Sequence, residues 1–377
     1  MNKIILIPDS FKGTMESAEI CRLMANAVEA HYPTAQILSF PVADGGEGTV
    51  DALLSAAGGE KISVSVRGPY FERRKASFGI TENGDAVIET ASCAGLTLAE
   101  HNLHPDKATT YGVGQLIARA AAQGCSRIIV GLGGSCTNDG GVGAAAACGV
   151  KFYDKNGKAF IPTGGTLADI AAIDDSEMNP AVRRAQIIAM CDVDNPLYGP
   201  SGAACVFAPQ KGADAAMVQR LDEGLKHYSD ILRQCLGTDI SALPGAGAAG
   251  GLGGGMAAFF HAELRSGIET ILDLVHFDEQ LQGADLVLTG EGKIDAQSLR
   301  GKVVSGVARH AKKQGVPVVA VVGDIEGDMA PLYELGVSAV FSINRKAEAF
   351  ETSRKHSRED LSLTVDNLMH FLKRLGF

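Results

Sequence analysis

The residues able to do chemistry on a ligand sit in short glycine-rich turns that also carry acids, hydroxyls and lysines. The fullest is Gly131–Gly141, GLGGSCTNDGG. Five glycines in these eleven residues let the backbone take positive φ and come close to a bound group. Gly133 and Gly134 offer backbone amides, and Ser135 and Asn138 add a hydroxyl and a side-chain amide. Asp139 could hold Mg²⁺, accept a proton, or simply cap the helix that follows. A turn that opens a helix presents free N–H groups and partial positive charge, which suits phosphate or carboxylate. On these residues alone, a ligand loop and a plain strand-to-helix turn are equally good readings.

Six further stretches share this chemistry. PDSFKGT places Asp9, Ser10 and Lys12 together: a carboxylate for metal or proton, a hydroxyl, and a cation for phosphate. VADGGEGT repeats the acid–glycine pattern with Asp44, Gly45, Gly46 and Glu47. IETASCAGL contributes Ser92. CDVDNPL holds Asp192 and Asp194, either a metal pair or a turn with Asx caps. APQKGA brings Lys211, a second phosphate cation. TGEGKIDAQSLRGK brings Glu291, Lys293, Asp295 and Lys302. Separately, the glycine run from Gly245 onward includes Gly251, Gly253 and Gly254. It reads as a flexible loop feeding a helix near Gly254, with amides suited to a small anion. Residues 245–250 match G-x-G-x-x-G, but no apolar strand precedes them, so the match does not signal a dinucleotide.

Strand-like runs precede most of these turns and helical runs follow them. Lys3–Ile7 reads as a buried strand and Gln36–Pro41 as the second strand, with a helix from Ser17 to His31 between them. Asp285–Thr289, Val316–Val322 and Ala339–Ser342 repeat the rhythm near the C-terminus, and a final amphipathic helix covers Asp360–Leu375. These five strands, built from both chain ends, predict one flavodoxin-like parallel sheet. The middle of the chain differs. Lys61–Arg67 alternates polar and apolar residues, and ENGD joins two short strands as a hairpin. The prediction is therefore an α/β protein of two domains. Residues 1–60 with 282–377 form the flavodoxin-like one, and 61–281 form an inserted, mixed α/β one. Two crossings would frame a cleft able to close on a substrate. Residues 344–359 read as a charged, solvated stretch with no site.

Composition narrows the partners. The chain has 377 residues, 46% apolar and 21% charged, with a net charge of −10. That balance argues against nucleic acid or an acidic membrane as a partner, so an anionic substrate needs local cations, amides or a metal. The eight cysteines form no Cys-x-x-Cys pair and read as reduced thiols. No apolar run reaches bilayer length and the N-terminal one is too short for a signal peptide, which points to the cytoplasm.

Taken together, PDSFKGT, VADGGEGT, GLGGSCTNDGG, CDVDNPL, APQKGA, GAAGGLGGG and TGEGKIDAQSLRGK resemble the bacterial glycerate kinase family, type 1. The motifs occur in the family's order over essentially the whole chain. The resemblance implies two domains, one flavodoxin-like, and ATP-dependent phosphorylation of D-glycerate at its 2-hydroxyl, with the 3-hydroxyl less favoured. ATP and D-glycerate are then the small-molecule partners, and the oligomeric state, homo-oligomer included, stays open. Kinase chemistry asks for positioning, Mg²⁺ and positive charge around the γ-phosphate. No Gly-Lys is followed by Ser or Thr, so there is no Walker A loop, and no His-Arg-Asp occurs. The residues themselves assign Asp9, Asp192 or Asp295 to Mg²⁺ or to deprotonating the hydroxyl. Lys12, Lys211 and Lys293 are assigned to phosphate charge. A nucleotide-dependent dehydrogenase and a non-catalytic two-domain anion-binding protein are the alternatives.

Overall fold

The computed structural model describes residues 1–377 except 44, 296, 297, 299, 300 and 301. The chain forms two compact units. One comprises Met1–Ala43, Ser55–Ala57 and Ser266–Phe377, the other Asp44–Leu54 and Gly58–Arg265. Read from the sequence, the crossings fall near 60 and 282. In the structure Ser266–Gln282 goes with the first unit, where Ile268 packs on Gly306 and Glu269 pairs with Arg309 at 3.0 Å.

The first unit is built on an all-parallel sheet in the order Val337–Ser342, Val318–Val322, Leu286–Gly290, Lys3–Pro8, Gln36–Ser39. Renumbered by chain order this is 2-1-3-4-5, the flavodoxin order, so the five strands form the expected sheet. Its three central strands are apolar along their length because both faces are covered. On one face Ile4, Leu6, Leu288 and Val321 meet Met24 of helix Ser17–His31 and Leu361 and Val365 of helix Ser357–Arg374. On the other, Ala320 and Val322 meet Val304 and Ala308 of helix Val303–Lys313.

The second unit carries a mixed sheet in the order Glu263–Arg265, Gln186–Met190, Arg127–Gly131, Ala86–Glu89, Arg73–Ile80, Glu60–Arg67. The first four strands are parallel, and the last two join antiparallel. The hairpin at ENGD forms as expected, with Gly84 at φ +84°. Residues 160–173 hold a 3₁₀ turn, Gly164–Asp169. Around that turn lies a three-stranded antiparallel sheet of Lys151–Tyr153, Ala159–Phe160 and Ala172–Asp174.

The glycine run near residue 250 is not a flexible loop. It lies buried inside helix Ala248–Phe260, which kinks where Ala249, Gly250 and Gly251 take φ of +54°, +68° and +90°. Its backbone presses on the Gly131–Gly141 turn. A Cβ on Gly250 would stand 2.0 Å from the Thr137 carbonyl oxygen, and one on Gly255 would stand 2.4 Å from that of Gly140. These glycines are needed because two backbones touch there, a use that composition cannot separate from ligand binding.

Candidate functional site

In the first unit, strand Lys3–Pro8 leads outward to one side of the sheet and Leu286–Gly290 to the other. The carboxyl ends of two such neighbouring strands leave a crevice, the usual ligand position in an open α/β sheet. A cavity of about 600 Å³ lies there. Asp9 extends the ladder by one bond, its N–H donating to the Gly290 carbonyl at 2.8 Å, and its carboxylate accepts from the Ser10 N–H at 2.7 Å. The chain then turns tightly. Phe11 and Met15 pair backbone to backbone, and Gly13 at φ +79° leaves Lys12 exposed at the tip. Ser17 fastens the turn by donating to the Pro8 carbonyl at 2.6 Å and accepting from the Val42 N–H at 2.8 Å.

The loop after Gly290 is sewn to the next strand's loop. Gly323 and Asp324 donate to the carbonyls of Glu291 and Gly292 at 3.1 and 3.0 Å, and a Cβ on Gly323 would meet the Gly292 carbonyl oxygen at 2.3 Å. This holds Glu291 in place at 4% exposure. Burial pushes its carboxyl up to about 7, opposed by Ser298 and Lys302 and reinforced by Asp9 and Asp295. Its Oε1 is buried with no hydrogen-bond partner among the described residues. Lys302, at the start of helix Val303–Lys313, stands 4.0 Å from Asp295. Lys293 lines the cavity but pairs with Glu326. Thus Asp9, Ser10, Lys12, Glu291, Lys293 and Asp295 come together as cavity lining.

Residues 344–359 are largely exposed, as their charge led us to expect, but Asn344, Phe350, Arg354 and their neighbours also line the same cavity. An exposed aromatic in a run of charges was the available signal.

The second unit disposes of its candidates differently. Asp139 is fully buried, and its carboxylate accepts from Thr110 N–H at 2.7 Å, Thr110 Oγ1 at 2.9 Å, Gly141 N–H at 3.1 Å and Gly143 N–H at 3.3 Å. It ties together the starts of helices Tyr111–Ala122 and Val142–Ala147. Burial raises its carboxyl's pKa, while these donors lower it. This is the capping role weighed from sequence, doubled. Lys211 is 3% exposed, and its ammonium donates to Ser135 Oγ at 2.9 Å and the Thr137 carbonyl at 2.7 Å. Burial brings it down to about 8. It staples the turn from inside. Asn138 is fully buried beside them, with neither side-chain polar atom paired among the described residues.

Gly45 and Gly46 pack on the same turn, Gly133 donating to the Gly45 carbonyl at 3.0 Å, while Glu47 is exposed. Asp44 lies outside the described residues. Ser92 is engaged locally, its hydroxyl donating to the Glu89 carbonyl at 2.8 Å. Gly134 is exposed, whereas Gly251, Gly253 and Gly254 are buried in the kinked helix. Asp192 and Asp194 are exposed in the loop after Gln186–Met190. Among the described residues no group of three or more His, Cys, Asp or Glu is arranged to hold a metal.

The profile of the glycerate kinase family matches residues 4–373. The chain belongs to the glycerate kinase family. It is 43% identical over 368 residues to a glycerate kinase of Bacillus cereus (strain ATCC 10987 / NRS 248), covering 97% of each chain. It is 42% identical over 343 residues to the glycerate 2-kinase of Escherichia coli (strain K12), covering 90% of each. A crystal structure from Salmonella typhimurium LT2, named provisionally as glycerate kinase 2, superposes with a TM-score of 0.87 at 38% identity, covering 99% of this chain and 98% of that one. Membership accounts for the α/β architecture and makes the chain an enzyme of the phosphotransferase class. No helix among the described residues is long and apolar enough to cross a membrane.

Proposed function

We propose that the chain transfers the γ-phosphoryl group of ATP to the 2-hydroxyl of D-glycerate, and that the strand-tip cavity of the first unit carries the reacting groups. Family membership supports the reaction. The observation that carries the site is the meeting of Asp9, Lys12, Glu291, Asp295 and Lys302 in one cavity at the sheet's switch point. Phosphoryl transfer needs little covalent help from protein. It needs charge opposite the equatorial phosphate oxygens and a group to take the attacking hydroxyl's proton. Lys12 and Lys302 supply the charge. Asp9 takes the proton.

The acidic set also fits Mg²⁺. Glu291 Oε1 is buried without a partner among the described residues, and Asp9 and Asp295 are close enough to disfavour its ionisation, so a cation would relieve both conditions. Mg²⁺ is usually held by one or two carboxylates together with substrate phosphates. Glu291 and Asp295 would hold it here, and when bound it neutralises phosphate charge. Asp192 and Asp194 lie in the other unit and are assigned no part.

The test is an ADP-release assay with D-glycerate, followed by ³¹P NMR of the product. Glycerate-dependent ADP release and a 2-phosphoglycerate signal are expected. A 3-phosphoglycerate signal would overturn the regiochemistry, and no glycerate-dependent ADP would overturn the reaction.

A further inference from the structure

We infer that the cavity of the first unit is the nucleotide site, and that Phe350 is the platform on which the purine stacks. This rests on the phosphotransferase reading above and says which substrate fills most of the cavity, with the acceptor hydroxyl reaching Asp9 at its strand-tip end. Size is the first argument. Pockets that bury most of a larger organic ligand span about 300–1,000 Å³, and this one encloses about 600 Å³. A three-carbon acid would occupy a small part of it, whereas a nucleotide would fill it.

The lining is the second argument, because it has the two chemistries a nucleotide has. The strand-tip loops bring Lys12 and Lys302, suited to a polyphosphate. The stretch after the last strand brings Ile343, Asn344, Phe350 and Arg354. Glycerate has no flat apolar surface that would use an aromatic ring. A purine does, and base–aromatic stacking is tolerant of base identity because every base presents a π-face.

Phe350 is the third argument. It is 57% exposed and opens a four-residue helix, Phe350–Ser353, none of whose residues is buried. No core claims it. Yet the segment around it is held in shape. Arg354 N–H donates to the Phe350 carbonyl at 2.9 Å, and its guanidinium pairs with Glu351 at 3.0 Å. The His356 ring contacts Asp360 at 2.5 Å and Glu348 at 3.0 Å. Single exposed aromatics are ordinary, but one that lines a cavity on a braced segment is placed to meet a ligand there.

The experiment is calorimetric titration of the full-length chain with ADP and Mg²⁺, for wild type, Phe350→Ala and Phe350→Tyr. Steady-state constants for ATP and for D-glycerate are measured on the same preparations, with a melting curve as folding control. F350A is expected to weaken ADP by about tenfold or more and to raise KM for ATP in step. KM for glycerate is expected to stay within about twofold, and F350Y to regain most of the affinity. Wild-type ADP affinity in F350A, a rise in glycerate KM alone, or no ADP binding by wild type would each overturn the assignment. The two readings fail separately. Phe350-dependent ADP binding without glycerate turnover removes the acceptor and leaves the nucleotide site. Turnover with unchanged ADP affinity in F350A does the reverse.

Discussion

Glu291 shows how a single residue's surroundings set its use. Its carboxyl is raised from an ordinary 4.5 to about 7, chiefly by burial. The neutral form is therefore the one the fold prefers. A group raised in this way adds stability below pH 4.5, and that contribution is lost as pH climbs through about 7. In the metal-free protein, Glu291→Gln should remove this dependence. The stability gap between variant and wild type should open between pH 4.5 and 7, by at most about 3 kcal/mol. Melting curves across that range check it, and parallel curves would refute it. Millimolar Mg²⁺ at pH 7 should raise the wild-type melting temperature and leave E291Q where it is. Gly250 makes the same point through sterics. Gly250→Ala places a methyl 2.0 Å from the Thr137 carbonyl oxygen at φ +68°, so urea unfolding should show a loss of about 2–4 kcal/mol. Gly199→Ala, also at positive φ but with open space around it, should cost about 1 kcal/mol. Sequence could name Gly250 as a special position. It could not say that a second backbone, not a ligand, claims the space.

Elements set how much of this was legible. Strands buried on both faces appear as unbroken apolar runs, so the three central strands of the first unit stand out, the partly exposed edge strands Gln36–Ser39 and Val337–Ser342 were found from their apolar residues and place in the rhythm, and helix Ser17–His31 could be bounded from residue types alone. Their lateral order could not, since parallel neighbours carry no local pairing signal. The Asp139 turn was ambiguous because a capping carboxylate and a ligand-binding one require the same residue. The segment at 344–359 was missed because charge usually marks solvated chain. Here the charges brace it: His356 is held by Asp360 first and Glu348 second, both of which raise its pKa. Stability from such a histidine is complete below about pH 6.5 and is lost as pH rises through the raised pKa. Hydrogen exchange across Glu348–Ser357, corrected for intrinsic rates, should therefore quicken with rising pH in wild type. In His356→Gln it should be fast throughout. Protection that ignores pH would show that the histidine does not brace the segment.

For the whole chain, the decisive fact is that the two ends build one sheet. Strand Lys3–Pro8 lies beside Leu286–Gly290, so loops more than 280 residues apart in sequence meet at one crevice. The distance between PDSFKGT and TGEGKIDAQSLRGK hid that meeting from any local pattern; only the strand count hinted at it. In the proposed function, proton acceptance and phosphate charge meet at this crevice. The most direct measurement is kcat/KM for D-glycerate with MgATP, comparing wild type with Asp9→Asn at matched melting temperature. The expected result is a fall of at least about 100-fold, or about 2.7 kcal/mol of transition-state stabilisation. A variant that turns over within threefold of wild type would contradict the account.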